Sequence, residues 1–205
     1  MTINFKVIDY YDNGLHKPYN LTIKEPGIYY IVGPNGSGKT SLLHQLKEYG
    51  EENGYEILSY SDIADGRGNS ISKLAYHNQF SDVANLMMSS EGESIYYNFG
   101  FTISSIGTAI RFNKKAFILI DGLDSGMSID KLKEIRDIFD NIVAKDIIGK
   151  DIYIFITANN FELVRGDVYC INPINGHKVH FNSYKGFENY ICGYKYKYLG
   201  VEKDE

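Results

Sequence analysis

Tryptophan is missing from this chain, cysteine occurs only twice and proline only four times. Cys170 and Cys192 stand far from any C-x-x-C spacing, which excludes a disulfide-stapled scaffold and a structural zinc site and fits a reduced cytosolic protein. No apolar run approaches the roughly 20 residues needed to cross a bilayer. The opening Met1-Thr2-Ile3-Asn4-Phe5-Lys6 lacks secretory-leader architecture, so the expected location is the cytoplasm. An excess of basic charge is absent as well. A net charge of −5 argues against a general nucleic-acid binder and leaves room only for a local patch. No heptad array or internal repeat is visible. His16, His44, His77, His177 and His180 are scattered and suggest neither a triad nor a metal site. Tyrosine, by contrast, occurs eighteen times, and the sequence alone gives no physical reason for it. A length of 205 residues, with 43% hydrophobic and 23% charged, suits one α/β domain with a sizeable core.

One stretch organises the rest. Gly33-Pro34-Asn35-Gly36-Ser37-Gly38-Lys39-Thr40 fits the phosphate-loop pattern G-x-x-x-x-G-K-[ST] at every defined position. Its glycines let successive backbone N–H groups of Asn35, Gly36, Ser37 and Gly38 turn inward around a phosphate, because no Cβ blocks the required backbone angles. Lys39 reaches the β- and γ-phosphates. Thr40 offers a hydroxyl to Mg²⁺, and the N–H groups of the opening helix, Ser41 included, point at the same anion. The flanks agree with this reading. Ile28-Tyr29-Tyr30-Ile31-Val32 is β-branched and aromatic and predicts a buried strand, while Ser41-Leu42-Leu43-His44-Gln45-Leu46 predicts a helix.

Around this loop the chain alternates strands and helices. Ile3 to Tyr10 and Tyr19 to Lys24 predict two antiparallel strands, joined through Asp12-Asn13-Gly14 and Lys17-Pro18. The helix from Lys39 is expected to end near Tyr49-Gly50, and Tyr55 to Tyr60 predicts a strand. Ser61 to Ser72 is polar and Gly-rich, and a helix is expected over Ile71 to Met88. Ser89-Ser90-Glu91-Gly92-Glu93 then reads, by itself, as the N-cap of a helix over Ser94 to Ile110. Ala116-Phe117-Ile118-Leu119-Ile120-Asp121 is an apolar run ending in an acid. It predicts a buried parallel strand whose carboxylate emerges where α/β ligands sit, so that Asp121 holds Mg²⁺ beside Thr40. Ser128 opens a helix whose apolar residues, Leu132, Ile135, Ile138, Phe139, Ile142 and Val143, recur at helical spacing. Asp151 to Thr157 is another buried strand. Val168 to Ile171 and Lys178 to Phe181 predict a hairpin around Asn175-Gly176, and Tyr184 to Ile191 a short helix. Lys195-Tyr196-Lys197-Tyr198 reads as a solvated end or as a basic, aromatic contact for nucleic acid.

Taken in this order, two strands, phosphate loop, Ser90/Gly92 loop and the Asp121 strand resemble the head of an ABC-class ATPase. The form, with Glu93 closing the loop, is similar to the DNA-maintenance branch (SMC and RecF-like heads) and to small ATP-binding proteins of bacteriophages. It departs from SMC in lacking a coiled-coil insertion. The resemblance implies an α/β P-loop fold: an N-terminal antiparallel β element and a mainly parallel core sheet flanked by helices. It makes 1–205 a single ATP-binding domain, with the phosphate loop at 33–40, a short helical subdomain at about 62–110, a Walker B region at 117–128 and a C-terminal hairpin and tail at 168–205.

Site roles follow from the same resemblance. Tyr10 or Tyr11 is placed to stack on adenine, with Tyr11 the nominated residue. Ser90 and Gly92 match the L-S-G-G-Q signature, whose serine hydroxyl and glycine N–H bind the γ-phosphate held by a second protomer. Gln79 is the nearest glutamine for the loop that senses Mg²⁺, with Asp62 as the alternative. After Asp121 the family carries a catalytic glutamate; this chain has Gly122. Asp124 is the nearest carboxylate, either a substitute base or the start of a turn. Where the family places a histidine after the next strand, this chain reads Ala158, with Asn159 as a substitute hydrogen-bond donor. The implied function is an Mg·ATP-dependent homodimerising ATPase, slow in hydrolysis, acting in DNA metabolism with nucleic acid or a DNA-processing protein as partner. The other classes are a non-hydrolysing regulator, a transporter subunit and a kinase. A kinase lid needs arginines, and only Arg67 and Arg111 lie between Lys39 and Asp121, so that reading ranks last.

Overall fold

The computed structural model describes residues 2–9, 17–61, 100, 103–104, 106–124 and 127–198. Strands β1 (Ile3–Val7) and β2 (Tyr19–Ile23) pair antiparallel from Ile3 opposite Ile23 to Val7 opposite Tyr19. Alternation sets the faces: Ile3, Val7, Leu21 and Ile23 are buried, while Asn4, Lys6, Asn20 and Thr22 face water. β1 stops at Val7, short of the predicted Tyr10, because the peptide of Ile8 finds a side-chain amide instead of a strand: Gln45 bonds both its N–H and its C=O.

The main sheet holds β3 (Gly27–Val32), β4 (Glu56–Ser61), β5 (Lys115–Asp121), β6 (Asp151–Ala158), β7 (Gly166–Ile171) and β8 (Lys178–Phe181) in the order β4-β5-β6-β3-β7-β8. All pairs are parallel except β7 with β8. The strand bearing Asp121 is thus separated from the phosphate-loop strand by β6.

Both faces of the central strands are covered, which is why they read as unbroken apolar runs. Odd-numbered residues Tyr29, Ile31, Phe117, Leu119, Tyr153 and Phe155 face helix α1 (Lys39–Glu52) and the β1–β2 pair. Even-numbered residues such as Tyr30, Val32, Ile118, Ile120, Ile154 and Ile156 face the other layer. There the helical residues 106–112, α2 (Ile129–Ile138), the π-helical turn Phe139–Val143, α3 (Ala144–Asp146), α4 (Phe161–Val164) and α5 (Tyr184–Tyr198) follow in chain order. Leu132, Ile135, Phe139 and Val143 are buried, as their spacing predicts.

The aromatic content has its explanation on the α1 face. Tyr55 packs on Phe117 with centroids 4.3 Å apart, Phe117 on Tyr153 at 5.5 Å, and Tyr29 on Phe155 at 5.7 Å. Tyrosine serves here because each ring edge reaches a polar partner. The Tyr29 hydroxyl donates to the Glu25 carbonyl and that of Tyr55 to Asp151 Oδ2 at 3.1 Å. Burial pushes the Tyr29 hydroxyl up to about 12, so it stays a donor.

Two further predicted boundaries move, besides the end of β1. α1 does not end at Tyr49-Gly50 but runs to Glu52, with Gly50 buried inside it. Gly50 is there for close approach: a Cβ would stand 2.8 Å from Ile57 Cδ1 and 2.9 Å from Phe117 Cδ2. The stop is a Schellman ending one turn later, where Tyr55 N bonds Gly50 O at 2.9 Å and Gly54 N bonds Glu51 O at 3.2 Å, with Gly54 at φ +69°. At the other end, α5 runs past the expected Ile191 to Tyr198, so Lys195 to Tyr198 belong to this helix. The hairpin turn is as predicted, with Gly176 at φ +70° and its N–H on Asn172 O at 2.9 Å. Tyr11, Asp62, Gln79, Ser90 and Gly92, together with the helix expected over Ile71 to Met88, lie outside the described residues.

Candidate nucleotide site

β3 delivers the chain to the phosphate loop at the carboxyl edge of the sheet. The loop closes on itself through Ser37 N to Pro34 O at 3.1 Å, and Gly36 and Gly38 adopt φ +81° and +87°, a region that disfavours residues with a Cβ. Gly33 has no room for a Cβ, which would lie 2.4 Å from Ser37 Oγ and 3.3 Å from Pro173 Cγ.

Three features of this loop fit a polyphosphate. No side chain caps α1 and no acid occupies its first turn, so its positive end is left to a ligand. Ser37 Oγ is buried, with the residue 3% exposed, and has no hydrogen-bond partner among the described residues. Lys39 is buried too, and among the described residues its ammonium donates to main-chain carbonyls alone, Gly33 O at 2.7 Å and Pro34 O at 3.0 Å. Burial holds the Lys39 amine below its ordinary range; Asp124 and Asp121 pull it partly back. A cation seated on neutral carbonyls is poised to exchange them for anionic oxygens.

Asp121 ends β5 in phase with Phe117 and Leu119, so its carboxylate emerges on the α1 side. There the Thr40 hydroxyl donates to Asp121 Oδ2 at 2.8 Å. Thr40 and Asp121, expected to stand on either side of Mg²⁺, are here in direct contact. The other carboxylate oxygen is taken by a residue that sequence reasoning missed: Thr157 Oγ1 donates to Asp121 Oδ1 at 2.6 Å and accepts Gly122 N–H at 2.9 Å. The available signal was phase. Thr157 stands near the end of an apolar strand in step with Tyr153 and Phe155, and the hydroxyl of a residue only 1% exposed needs a partner. Thr157→Val keeps the shape and removes both bonds. We expect a stability loss of about 1–3 kcal/mol, read as a lower urea midpoint with unchanged m-value.

Asp124 and Asn159, the residues expected to stand in for the family's catalytic groups, touch each other. The Asp124 carboxylate accepts the Asn159 main-chain N–H and, at 3.3 Å, its side-chain amide. Burial raises the Asp124 pKa, and these bonds, with one from the Asn160 main chain, lower it in part. Ala158 is buried and pairs in register with Val32, the residue before the loop, so the position that carries histidine in the resembling family has no polar group here. Asn160 is spent on α4, accepting Glu162 N–H at 2.9 Å. Among the described residues no cluster of three or more His, Cys, Asp or Glu could hold a metal ion. Thr40 and Asp121, in contact at the mouth of the loop, are residues that could hold Mg²⁺ together with a phosphate.

No known protein family matches the chain, and no curated protein matches it either. Solved structures do. A protein described as a metal-chelate type ABC transporter, in an inward-facing conformation, is similar over 94% of this chain and 88% of its own, with a TM-score of 0.51 at 14% identity. A nucleotide-free ATP-binding cassette from an ABC transporter aligns over 99% of this chain and 100% of its own, with a TM-score of 0.49 at 13% identity. A DNA replication initiation factor aligns over 66% of this chain and 32% of its own, with a TM-score of 0.32 at 13% identity. The last two are too distant in shape to carry an argument, and identity this low speaks to fold alone. No helix among the described residues is long and apolar enough to cross a membrane. The small antiparallel sheet and the mostly parallel core sheet flanked by helices form the fold of a P-loop, ABC-type ATPase head.

Proposed function

We propose that this chain binds Mg·ATP at the loop 33–40 and pairs with a second copy around it, as a slowly hydrolysing molecular switch. The observation that carries the reading is the contact of Thr40 with Asp121 at the mouth of a loop whose lysine rests on neutral carbonyls. Bound Mg²⁺ would supply charge neutralisation to the β- and γ-phosphates. The protein's own part is to present Thr40 and Asp121 to the cation, to turn Lys39 from Gly33 and Pro34 toward the anion, and to aim the N–H groups of residues 35–41 at it. Slow turnover is favoured by the buried Ala158 and by Gly122, neither of which offers a polar side chain. The setting, DNA metabolism, follows from the resemblance of the short form, with Glu93 closing the Ser90/Gly92 loop, to DNA-maintenance heads.

Pairing is tested directly. In a two-fold symmetric dimer, two nucleotides lie between the phosphate loop of one subunit and Ser90-Glu91-Gly92 of the other. Light scattering with Mg²⁺ and a slowly hydrolysed ATP analogue should give a dimer, monomeric without ligand, because a ligand bridging two chains draws association by mass action. Ser90→Arg should remain monomeric with nucleotide bound. A wild-type chain that binds nucleotide and stays monomeric at every concentration would replace the dimer with an isolated regulator.

A further inference from the structure

The amino ends of β3, β6 and β7 open into a cavity of about 740 Å³. Its size is that of a small-molecule site. The phosphate loop leaves the carboxyl end of β3, so the two places lie at opposite ends of one strand, with Ile28 and Gly33 about 16 Å apart. Across from the strands, the π-helical turn brings Asp140 to the cavity, and the chain after it brings the apolar Ile147 and Ile148. π-Helical turns recur at functional sites.

Charge in the lining is mostly of one sign. Glu25, Asp140, Asp151 and Asp167 stand against a single lysine, Lys150, whose ammonium is spent on the Ile110 carbonyl at 2.5 Å. Arg136 takes Asp140 at 2.6 Å, and Asp151 accepts the Tyr55 hydroxyl. Glu25 and Asp167 are exposed, and no hydrogen bond or ion pair engages their carboxylates among the described residues.

Tyr30 adds an independent observation. It lines the cavity, is 1% exposed, and its hydroxyl has no hydrogen-bond partner among the described residues. The hydroxyl lies close enough to Asp140, on the cavity wall, for the two to interact by charge. An unpaired buried hydroxyl is costly, and phenylalanine would fill the same place without it. Burial holds this hydroxyl well above its ordinary range, so it stays protonated and offers an oxygen lone pair to a donor.

These groups select a ligand. An anion would meet four carboxylates. A metal ion needs acids drawn together, and no group of three His, Cys, Asp or Glu among the described residues could hold one. Acids set apart around an apolar wall suit positive charges joined by apolar carbon. We propose that the cavity binds an aliphatic polyamine, its ammonium groups on Glu25 and Asp167 at the mouth and one N–H donated to the Tyr30 hydroxyl inside.

Ammonium groups also bind polyphosphates, so the test omits nucleotide. Spermidine is titrated calorimetrically into the full chain and into Tyr30→Phe, Asp167→Asn and Glu51→Gln. Glu51, on α1 beside Lys47, lies outside the cavity and controls for the change in charge. Wild type should bind spermidine at a single site. Tyr30→Phe should weaken it about fivefold, the size of one net hydrogen bond, and Asp167→Asn about tenfold, with Glu51→Gln unchanged. The urea midpoint of Tyr30→Phe should equal or exceed that of wild type, because no hydrogen bond is lost. A lower midpoint would show the hydroxyl already paired and overturn the proposal. So would no binding of spermidine by wild type. Equal weakening in all three variants, or in none, would mean attraction to an acidic surface only and overturn it as well.

Discussion

Lys39→Ala should weaken Mg·ATP binding by about one to two orders of magnitude, from the roughly 1.5–3 kcal/mol that a hydrogen bond to a charged group contributes. The magnitude belongs at the upper end for a local reason. Lys39 is buried, and its hydrogen-bond partners among the described residues are the uncharged Gly33 and Pro34 carbonyls, so an anion replaces weak partners with strong ones. The fold should survive, because the side chain is already costly to bury. Burial holds its amine below the ordinary range, and removing a desolvated charge leaves two carbonyls that water can reach through the vacated space. Calorimetric titration of wild type and variant at equal Mg²⁺ decides the matter, and equal ATP affinities would remove Lys39 from the site. Lys39→Met, which fills the volume without the charge, should behave like alanine if charge is the active property.

How much of this was legible in the sequence varies with the range of the interaction. The phosphate loop, the Asp121 strand and the β7–β8 hairpin depend on local chemistry: positive-φ glycines, a run of apolar residues ending in an acid, an Asn-Gly turn. All three stand where the sequence puts them. Boundaries set by tertiary contacts were not legible. Gly50 has the local look of a helix end, yet it is held inside α1 by the closeness of Ile57 and Phe117, which come from two other strands. β1 gives way after Val7 because a side chain 37 positions away occupies the next peptide. Thr157 was missed for a related reason. Its role exists only once β5 and β6 lie side by side, with Asp121 and Thr157 ending on the same face. The sequence offers Asp124 as a substitute base or the start of a turn and Asn159 as a separate donor, and only the fold brings them into one hydrogen-bonded pair. That pairing changes what a test of turnover must separate.

Single-turnover hydrolysis of bound ATP should be slow, by the roughly 10²- to 10⁴-fold that a well-placed general base contributes. Gly122 and Ala158 leave no side chain to orient water at the two positions where the resembling family has one. Asp124 is the substitute we propose. Its carboxylate is raised by burial, the direction that brings a base nearer its working pH, and it lies close enough to Lys39 for their charges to interact. Asn159 accounts for two hydrogen bonds to it, which fix the group and also reduce its basicity. Asp124→Asn keeps an acceptor for the Asn159 main chain and removes the base, so turnover should fall further with ATP affinity retained. The pH profile supplies a second readout. A base acts only when ionised, so the wild-type rate should rise with pH through the raised Asp124 pKa, above the ordinary aspartate range, and Asp124→Asn should lose that limb. Gly122→Glu is the complementary variant. It returns a carboxylate next to Asp121, but Gly122 sits at φ +71°, where an L-residue costs about 1–2 kcal/mol. A gain in rate from Gly122→Glu, in spite of that strain, would identify the missing glutamate as limiting. A wild type that already turns over rapidly, with Asp124→Asn equally fast and its pH profile unmoved, would sink both the slow switch and the substitute base.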